Sequence, residues 1–109
     1  MRYKDLVTSA VFDALADPTR RRLLELLAER ERSAGELAGE FTVSRPAVSR
    51  HLRVLRDAGL VRWRDEAQRR IYALRPQPLA ELDDWLDRYR RFWPDALDRL
   101  ERHLEKGDT

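Results

Sequence analysis

Apolar residues recur at every third or fourth position over most of this chain, the spacing that gathers them on one side of an α-helix. The spacing predicts a first helix from about Tyr3 to Leu15, with Leu6 and Ala10 facing inward and Val7, Val11 and Leu15 as further candidates. Asp17-Pro18 signals the start of a second helix, because aspartate caps a first turn and proline fits its first position. The residues predicted to form its apolar stripe are Leu23, Leu24, Leu27 and Ala28.

The segment SAGELAGEF predicts a short third helix. Ser33 and Glu36 match a capping box, in which each side chain accepts a hydrogen bond from the other residue's backbone N–H. We expect the helix to run from Ala34 to Glu40, with Leu37 and Phe41 packed inward.

A fourth helix follows after a brief turn. Ser44 is its predicted cap, Pro46 is tolerated in its first turn, and Gly59 ends it with a left-handed residue. Positions i, i+4 and i+7 form its buried stripe. They are Val48, Leu52 and Leu55. A short helix, a turn and a second helix in this order form a helix-turn-helix.

Strict alternation replaces the helical spacing in LVRWRDEAQRRIYALR, on both sides of the tetrapeptide DEAQ. Alternation of this kind predicts two strands joined by a tight turn. We expect Val61 and Trp63 to pair with Ile71 and Ala73, or with residues in a neighbouring register. A basic hairpin directly after a helix-turn-helix is a wing.

The chain is predicted to end in a long helix from Leu79 to about Lys106. About 28 residues span about 42 Å, more than one small domain covers, so a second copy of the chain is expected on the apolar seam. Because an interior proline removes a hydrogen bond, a kink or break is expected between Arg90 and Pro94. The predicted dimer interface consists of Leu6, Leu79, Leu82, Leu86, Tyr89, Trp93, Leu97, Leu100 and Leu104.

These elements predict a single domain over residues 1–109, mainly α with a small β-hairpin. The fold class is a winged helix-turn-helix of order α-α-α-α-β-β-α that dimerises through terminal helices. The chain has no cysteine, which excludes disulfides and thiolate metal sites. Its sequence contains neither a signal-peptide pattern nor an apolar run long enough for a bilayer, so we expect a cytoplasmic protein without a membrane partner.

Charge is distributed very unevenly along the chain. The overall net charge is only +2, but residues 44–76 hold nine basic and three acidic side chains, a net charge of +6. Residues 1–43 and 77–109 have net charges of −1 and −3. A positive field confined to one segment is typical of a domain that meets a polyanion with one face.

The polyanion we expect is double-stranded DNA, since arginine donates to guanine or phosphate and the first turn of a recognition helix enters the major groove. His51 is either a half-buried spacer or a phosphate donor. The arginines at 20–22 serve either DNA phosphate or acids such as Asp17. Trp63 and Tyr72 belong either to the hairpin core or to a stacking surface. The candidate DNA contacts are Ser44, Arg45, Pro46, Ser49, Arg50, His51, Arg53, Gln68, Arg69 and Arg70.

The motifs FDALADPTRRRLLELL, SAGELAGEFTVSRPAVSRHLRVLRDAGLV and RRIYALR resemble the ArsR family of winged-helix bacterial repressors in order and spacing. The resemblance covers about residues 10–75. Many members bind metal through a Cys-x-Cys pair just before an acid and a leucine, but Ser33 and Gly35 occupy those positions here, before Glu36-Leu37. A second family site needs two histidines on the last helix, where this chain has only His103. The resemblance therefore implies a subgroup without the usual metal ligands.

The sequence thus predicts a homodimeric repressor of an inverted-repeat operator, with no metal and no cofactor. The aromatic residues of the last helix either pack in the dimer interface or line a ligand pocket there, and no inducer can be named. The alternatives are a winged-helix module that binds another protein and an architectural DNA binder without sequence preference. An enzyme is not expected, because the chain has two histidines far apart in sequence, no cysteine and no glycine-rich phosphate loop.

Overall fold

The computed structural model describes the backbone of residues 3–107 and the side chains of residues 9–106. The predicted elements up to the wing appear with nearly the predicted bounds. In chain order they are α1 Tyr3–Leu15, α2 Pro18–Glu29, β1 Arg32–Ser33, α3 Ala34–Gly39, α4 Arg45–Asp57, β2 Val61–Glu66, β3 Arg69–Leu74, α5 Gln77–Arg90 and α6 Trp93–Gly107.

Helices α2 and α3 begin at the predicted caps. Oδ1 of Asp17 accepts hydrogen bonds from the backbone N–H groups of Thr19 and Arg20, at 2.8 and 3.2 Å. Ser33 Oγ accepts from the Glu36 N–H at 3.1 Å, and Glu36 Oε1 accepts from the Ser33 N–H at 3.2 Å. The capping box is therefore complete, and it fixes where α3 starts.

Helix α4 is bounded as predicted at both ends. Ser44 Oγ accepts from the Ala47 N–H at 3.3 Å, and Pro46 lies in the first turn, where its missing N–H is not needed. After the last turn, Gly59 has a φ of 77°, a left-handed conformation that favours glycine. The chain then turns directly into the wing.

The core lies where α1, α2, α4 and the sheet meet, and the α4 stripe is buried in it as predicted. The predicted stripes of α1 and α2 are partly wrong. Ala10 and Ala28 are exposed, whereas Leu26 is only 2% exposed. Leu26 is buried because α2 packs against α1, α4 and β3, so more than one side of this helix is covered.

The sheet has three antiparallel strands in the order β1-β3-β2, one more than predicted. In the hairpin Val61 lies opposite Leu74 and Trp63 opposite Tyr72, so the neighbouring register is the correct one. The additional strand β1 comprises only Arg32 and Ser33, which pair with β3. Two residues are too few to show an alternating pattern, which is why the sequence did not reveal it.

The predicted kink or break between Arg90 and Pro94 is a break, which divides the predicted C-terminal helix in two. Helix α5 ends at Arg90 and α6 begins at Trp93, which places Pro94 in the first turn of a new helix. A proline there sacrifices no intrahelical hydrogen bond. Helix α5 packs on α1, where the Phe12 and Trp85 rings meet edge to face with centroids 5.2 Å apart.

Two arginines at the start of α2 close the end of α1. Arg20 donates from Nε to the Ala14 carbonyl at 2.6 Å and from Nη2 to the Asp13 carbonyl at 2.9 Å. Arg21 donates to the Leu15 carbonyl at 2.8 Å. Within the protein, their main partners are therefore carbonyls of α1 and not acidic side chains, since the last carbonyls of a helix need donors.

Arg32 joins three elements from a buried position. Its side chain is only 9% exposed, and Nε donates to the Leu26 carbonyl of α2 at 3.1 Å. Its Nη2 donates to Glu29 at 2.7 Å, and Nη1 lies 3.9 Å from the Glu40 carboxylate beyond α3. The guanidinium thus holds the end of α2 against α3.

We predict that Arg32→Met lowers the free energy of unfolding by about 2–3 kcal/mol, because it removes charge-assisted hydrogen bonds to a helix end and a carboxylate. Arg22→Met is the control, since Arg22 forms an exposed i,i+3 pair with Glu25 that should contribute less than about 0.5 kcal/mol. Urea unfolding at equal protein concentration measures both. Equal losses in the two variants would show that Arg32 does not join these elements.

Candidate nucleic-acid interface

Burial of the α4 stripe determines which side of this helix faces solvent. Val48 and Leu52 are 1% exposed and Leu55 is fully buried. Because successive helical residues are rotated by about 100°, the remaining positions point outward. Arg45, Ser49, Arg50 and Arg53 are all exposed there. The structure thus brings four of the sequence-predicted contacts onto one surface.

The arginines on this surface have no ion-pair or hydrogen-bond partner among the described residues. Within residues 9–106, no ion pair or hydrogen bond involves the guanidinium groups of Arg45, Arg50 or Arg53. Elsewhere the pairing is extensive, as in Arg30 with Glu36 at 3.1 Å and Arg64 with Glu31 at 2.6 Å. The donors of α4 are therefore available to a ligand with acceptor groups.

The first turn of α4 borders a groove of about 250 Å³ shared with α3. Arg45 reaches across it, since a Cβ on Gly35 would lie 3.1 Å from Arg45 Nη2. Ser44 uses its hydroxyl to cap α4, and Pro46 is exposed beside it. Ser44 and Pro46 thus shape the helix start, while Arg45 provides the charge.

His51 lies away from this surface, between α4 and the start of α2. Its Nδ1 is 3.4 Å from Arg20 Nη1 and 4.0 Å from Asp17 Oδ1, and its side chain is 23% exposed. Burial raises the pKa of Asp17, but hydrogen bonds from the Arg20 and Thr19 N–H groups and the nearby charges bring the pKa below its ordinary value. This position favours the spacer interpretation of His51.

The wing carries its two predicted arginines in different surroundings. Arg69 Nη2 donates to Glu36 Oε1 at 2.9 Å, so this residue ties the wing to α3 and is not a free cation. The Arg70 guanidinium lies over the Trp63 ring, 3.8 Å from its centroid. Gln68 is exposed at the tip, after Ala67 with a φ of 57°.

Glu36 is the acid that connects these elements. Its pKa lies below the ordinary value because the Ser33 N–H donates to it, assisted by Arg30 and by the Ser33 side chain. Arg64 has its pKa raised by hydrogen bonds to Glu31 and Glu66. The outer side of the wing and the start of α3 are therefore joined by ion pairs internal to the protein.

One residue near the interface, Arg56, is not among the contacts predicted from the sequence. Arg56 lies at i+7 from Ser49 on the exposed side of α4, and its Cζ is 6.0 Å from the Trp63 ring centroid. Trp63 is half-buried against the core, and Tyr72 is 7% exposed, so both are hairpin core residues. The i+7 spacing was a signal for Arg56, but its proximity to Trp63 required the fold.

The predicted dimer residues divide into two groups. Leu79 and Leu82 pack partly on the chain's own core, and Leu86 is half-buried. Leu6 lies outside the residues whose side chains are described. The others form an exposed apolar surface continuing along α6. They are Tyr89, Trp93, Leu97, Leu100 and Leu104, each about half exposed or more.

Two further features of the described chain bear on function. No helix in residues 3–107 combines the length and apolarity that a bilayer crossing demands. Among the described side chains, no three histidine or carboxylate groups converge as a metal-binding set.

Comparison with known sequences identifies close relatives. Residues 17–62 match the family described as "Bacterial regulatory protein, arsR family". The chain is 51% identical over 86 residues to the HTH-type transcriptional regulator Rv2034 of Mycobacterium tuberculosis, covering 79% of this chain and 78% of that protein. It is 36% identical over 76 residues to the transcriptional repressor SdpR of Bacillus subtilis, covering 70% and 84%. Both relatives are named as transcriptional regulators.

Solved structures show the same architecture. An ArsR family transcriptional regulator, RHA00566, superposes with a TM-score of 0.77 at 30% identity, covering 86% of this chain and 97% of that chain. The homodimeric winged helix-turn-helix DNA-binding domain of Mb0332 from Mycobacterium bovis superposes with a TM-score of 0.64 at 27% identity, covering 83% of each. The arrangement of α3, α4 and the β2–β3 wing is thus that of a winged helix-turn-helix.

We predict that Glu36→Gln makes stability less dependent on pH in acid. A carboxyl with a lowered folded-state pKa stabilises the protein above its unfolded pKa, and this stabilisation is lost as the pH falls through the folded-state value. Glutamine retains the capping hydrogen bond but does not titrate. Between about pH 6 and pH 3, the variant should therefore lose less unfolding free energy than the wild type.

Glu81→Gln, on the exposed side of α5, serves as the control for this experiment. Its pH dependence of unfolding, followed by urea titration monitored by circular dichroism, should match the wild type. An identical slope for Glu36→Gln and the wild type would contradict the role given to the Glu36 carboxylate.

Proposed function

The chain belongs to the arsR family of bacterial regulatory proteins, which are DNA-binding transcriptional regulators, and we propose that it binds an inverted-repeat operator as a homodimer and represses transcription. The observation that carries this proposal is the exposed side of α4, where three arginines have no partner among the described side chains. Repression follows if the bound dimer covers a promoter. Such a protein acts in the cytoplasm and catalyses no reaction.

In this proposal the first turns of α4 enter the major groove. Arg45 and Arg50 are exposed on that part of the helix and pair with no described side chain, and Ser49 lies between them. Arginine can donate two parallel hydrogen bonds to guanine O6 and N7, and serine can donate to either a base or a phosphate. Arg53, one turn further, reaches the adjacent backbone or base edge. These residues combine base readout with phosphate contact.

The exposed apolar side of α6 supports the dimer. Leu97, Leu100 and Leu104 recur at i, i+3 and i+7 and are 62%, 54% and 59% exposed. Apolar residues at this spacing are buried when a helix meets a partner. A two-fold dimer places two copies of α4 about one helical turn of DNA apart, ~34 Å, and so reads an inverted repeat.

We further propose that the regulator does not respond to metal. At the positions of the family's cysteine pair, Ser33 uses its Oγ to accept from the Glu36 N–H and Gly35 has no side chain. A hydroxyl engaged in a helix cap and a glycine offer no thiolate for a soft metal ion. Glu36 itself is held by Ser33, Arg30 and Arg69.

Specific binding to the DNA upstream of its own gene is the first test. At about 0.15 M salt, the complex should survive about a 10³-fold excess of random DNA. Arg50→Ala with Arg53→Ala should weaken binding by at least ~1–3 kcal/mol. Arg88→Ala with Arg91→Ala removes the same charge away from α4 and should change binding little. Fluorescence anisotropy titrations measure each affinity.

Equal displacement by random DNA would leave only electrostatic attraction, as in an architectural binder. Specific binding with no loss in the Arg50/Arg53 variant would assign recognition to another surface. No DNA binding at all would favour the protein-interaction module.

The dimer is tested by introducing a charge into the exposed apolar surface of α6. Leu100→Glu should give a monomer, because a carboxylate in an apolar interface loses its hydration without gaining a partner. Arg99→Glu, the neighbouring residue, should leave the dimer intact. Light scattering with size-exclusion chromatography measures the mass of each. A Leu100→Glu variant that stays dimeric would place the interface elsewhere.

A further inference from the structure

A second groove lies between α4 and the wing, separate from the first turn of α4. It has a volume of about 120 Å³ and is lined by Ser49, Leu52, Arg53, Arg56, Arg70 and Tyr72. The recognition helix and the strand β3 therefore contribute opposite walls of one cleft.

The walls of this cleft are cationic and its floor is apolar. Ser49, Arg53 and Arg56 recur at i, i+4 and i+7, which aligns them along the α4 wall. The floor comprises Leu52 and Tyr72, which are 1% and 7% exposed. An apolar floor keeps water away from one side of any bound group, which strengthens the charge interactions above it.

Trp63 sets the position of the opposite wall. The Arg70 guanidinium lies over its ring, with Cζ 3.8 Å from the centroid, and the Arg56 Cζ lies 6.0 Å from the same centroid. The indole ring attracts cations and is itself held by the core. One anchored side chain thus keeps two guanidinium groups, from α4 and from β3, at the cleft.

These cations have little compensating charge. Asp65 Oδ1 lies 3.9 Å from Arg70 Nε, at the outer limit of an ion pair. Across residues 9–106, no carboxylate pairs with Arg53 or Arg56. Three guanidinium groups around one small cleft repel each other, and an anion placed between them would relieve that repulsion.

We propose that this cleft binds one backbone phosphate of the DNA duplex, with Arg56 and Arg70 as donors and Trp63 as a positioning residue. The proposal rests on the proposed DNA-binding function. A phosphate has several acceptor oxygens and pairs with the planar fork of arginine. Because Arg56 is in the last turn of α4, it lies beyond the base-reading turns and reaches the flanking backbone. The bound phosphate bridges helix and wing.

The salt dependence of DNA binding tests the proposal. Arg56→Gln should weaken binding to operator and to random DNA by the same factor and reduce the slope of log K against log salt by about 1 for each half-site. Arg62→Gln is the matched control, since Arg62 is exposed on the other side of the wing and lines a different pocket. The slope of log K against log salt for Arg62→Gln should stay closer to that of the wild type.

Trp63 is tested by two variants. Trp63→Leu should reduce the salt slope as Arg56→Gln does, whereas Trp63→Phe, which keeps an aromatic ring for the guanidinium groups, should restore it. Thermal unfolding identifies any variant that is not folded. If both folded variants show the same reduced slope of log K against log salt, Trp63 does not act by positioning the guanidinium groups.

Replacing single operator phosphates by neutral methylphosphonates locates the contact. In the wild type, one phosphate per half-site should weaken binding when replaced, and in Arg56→Gln the same replacement should have no further effect. If Arg56→Gln and the phosphate replacement weaken DNA binding additively, or if Arg56→Gln leaves the salt slope unchanged, the cleft does not bind the phosphate. Operator recognition by α4 would be unaffected by that result. If the wild type shows no operator preference, the proposed function fails, and the slopes on random DNA still decide whether the cleft binds phosphate.

Discussion

Burial of Val48, Leu52 and Leu55 is the constraint on which the rest of the structure depends. Burying one aliphatic side chain contributes about 1.5–3 kcal/mol. Rotating α4 about its axis so that these three side chains face solvent would therefore cost about 5 kcal/mol or more. It would also bury arginines that have no partner within residues 9–106. The hydrophobic effect, and not any charge interaction within the protein, therefore presents the cationic side of α4 to solvent. The wing and the α4–wing cleft are positioned relative to that orientation.

The arginines of this protein have two different physical roles. Arg20 and Arg32 donate to carbonyls in the last turns of α1 and α2, which stabilises these helix ends. Arg50 and Arg53 have no such partner among the described side chains and increase the local positive potential. Chemically identical side chains thus serve either folding or binding, and their neighbours decide which.

The C-terminal region shows how one residue divides an otherwise continuous pattern. The apolar spacing continues through Pro94, but a proline inside a helix removes one backbone hydrogen bond because it has no N–H. The chain therefore ends α5 at Arg90 and begins α6 at Trp93. Leu79 and Leu82 of α5 belong to the core, while α6 presents its leucines outward. The break thus separates a helix that completes the fold from one available to a partner.

The sequence by itself determined the features that depend on near neighbours. The caps at Asp17, Ser33 and Ser44, the left-handed Gly59, the α4 stripe and the break before Pro94 all follow from interactions within a few residues, so their signals are local. Only the tertiary structure decided the rest. Strand β1 exists because Arg32 and Ser33 meet β3. The pairing of Arg69 with Glu36 joins residues 33 apart in sequence, and Trp63 gathers Arg56 and Arg70 from two elements. Such contacts depend on how the elements pack, and no local pattern in the chain encodes them.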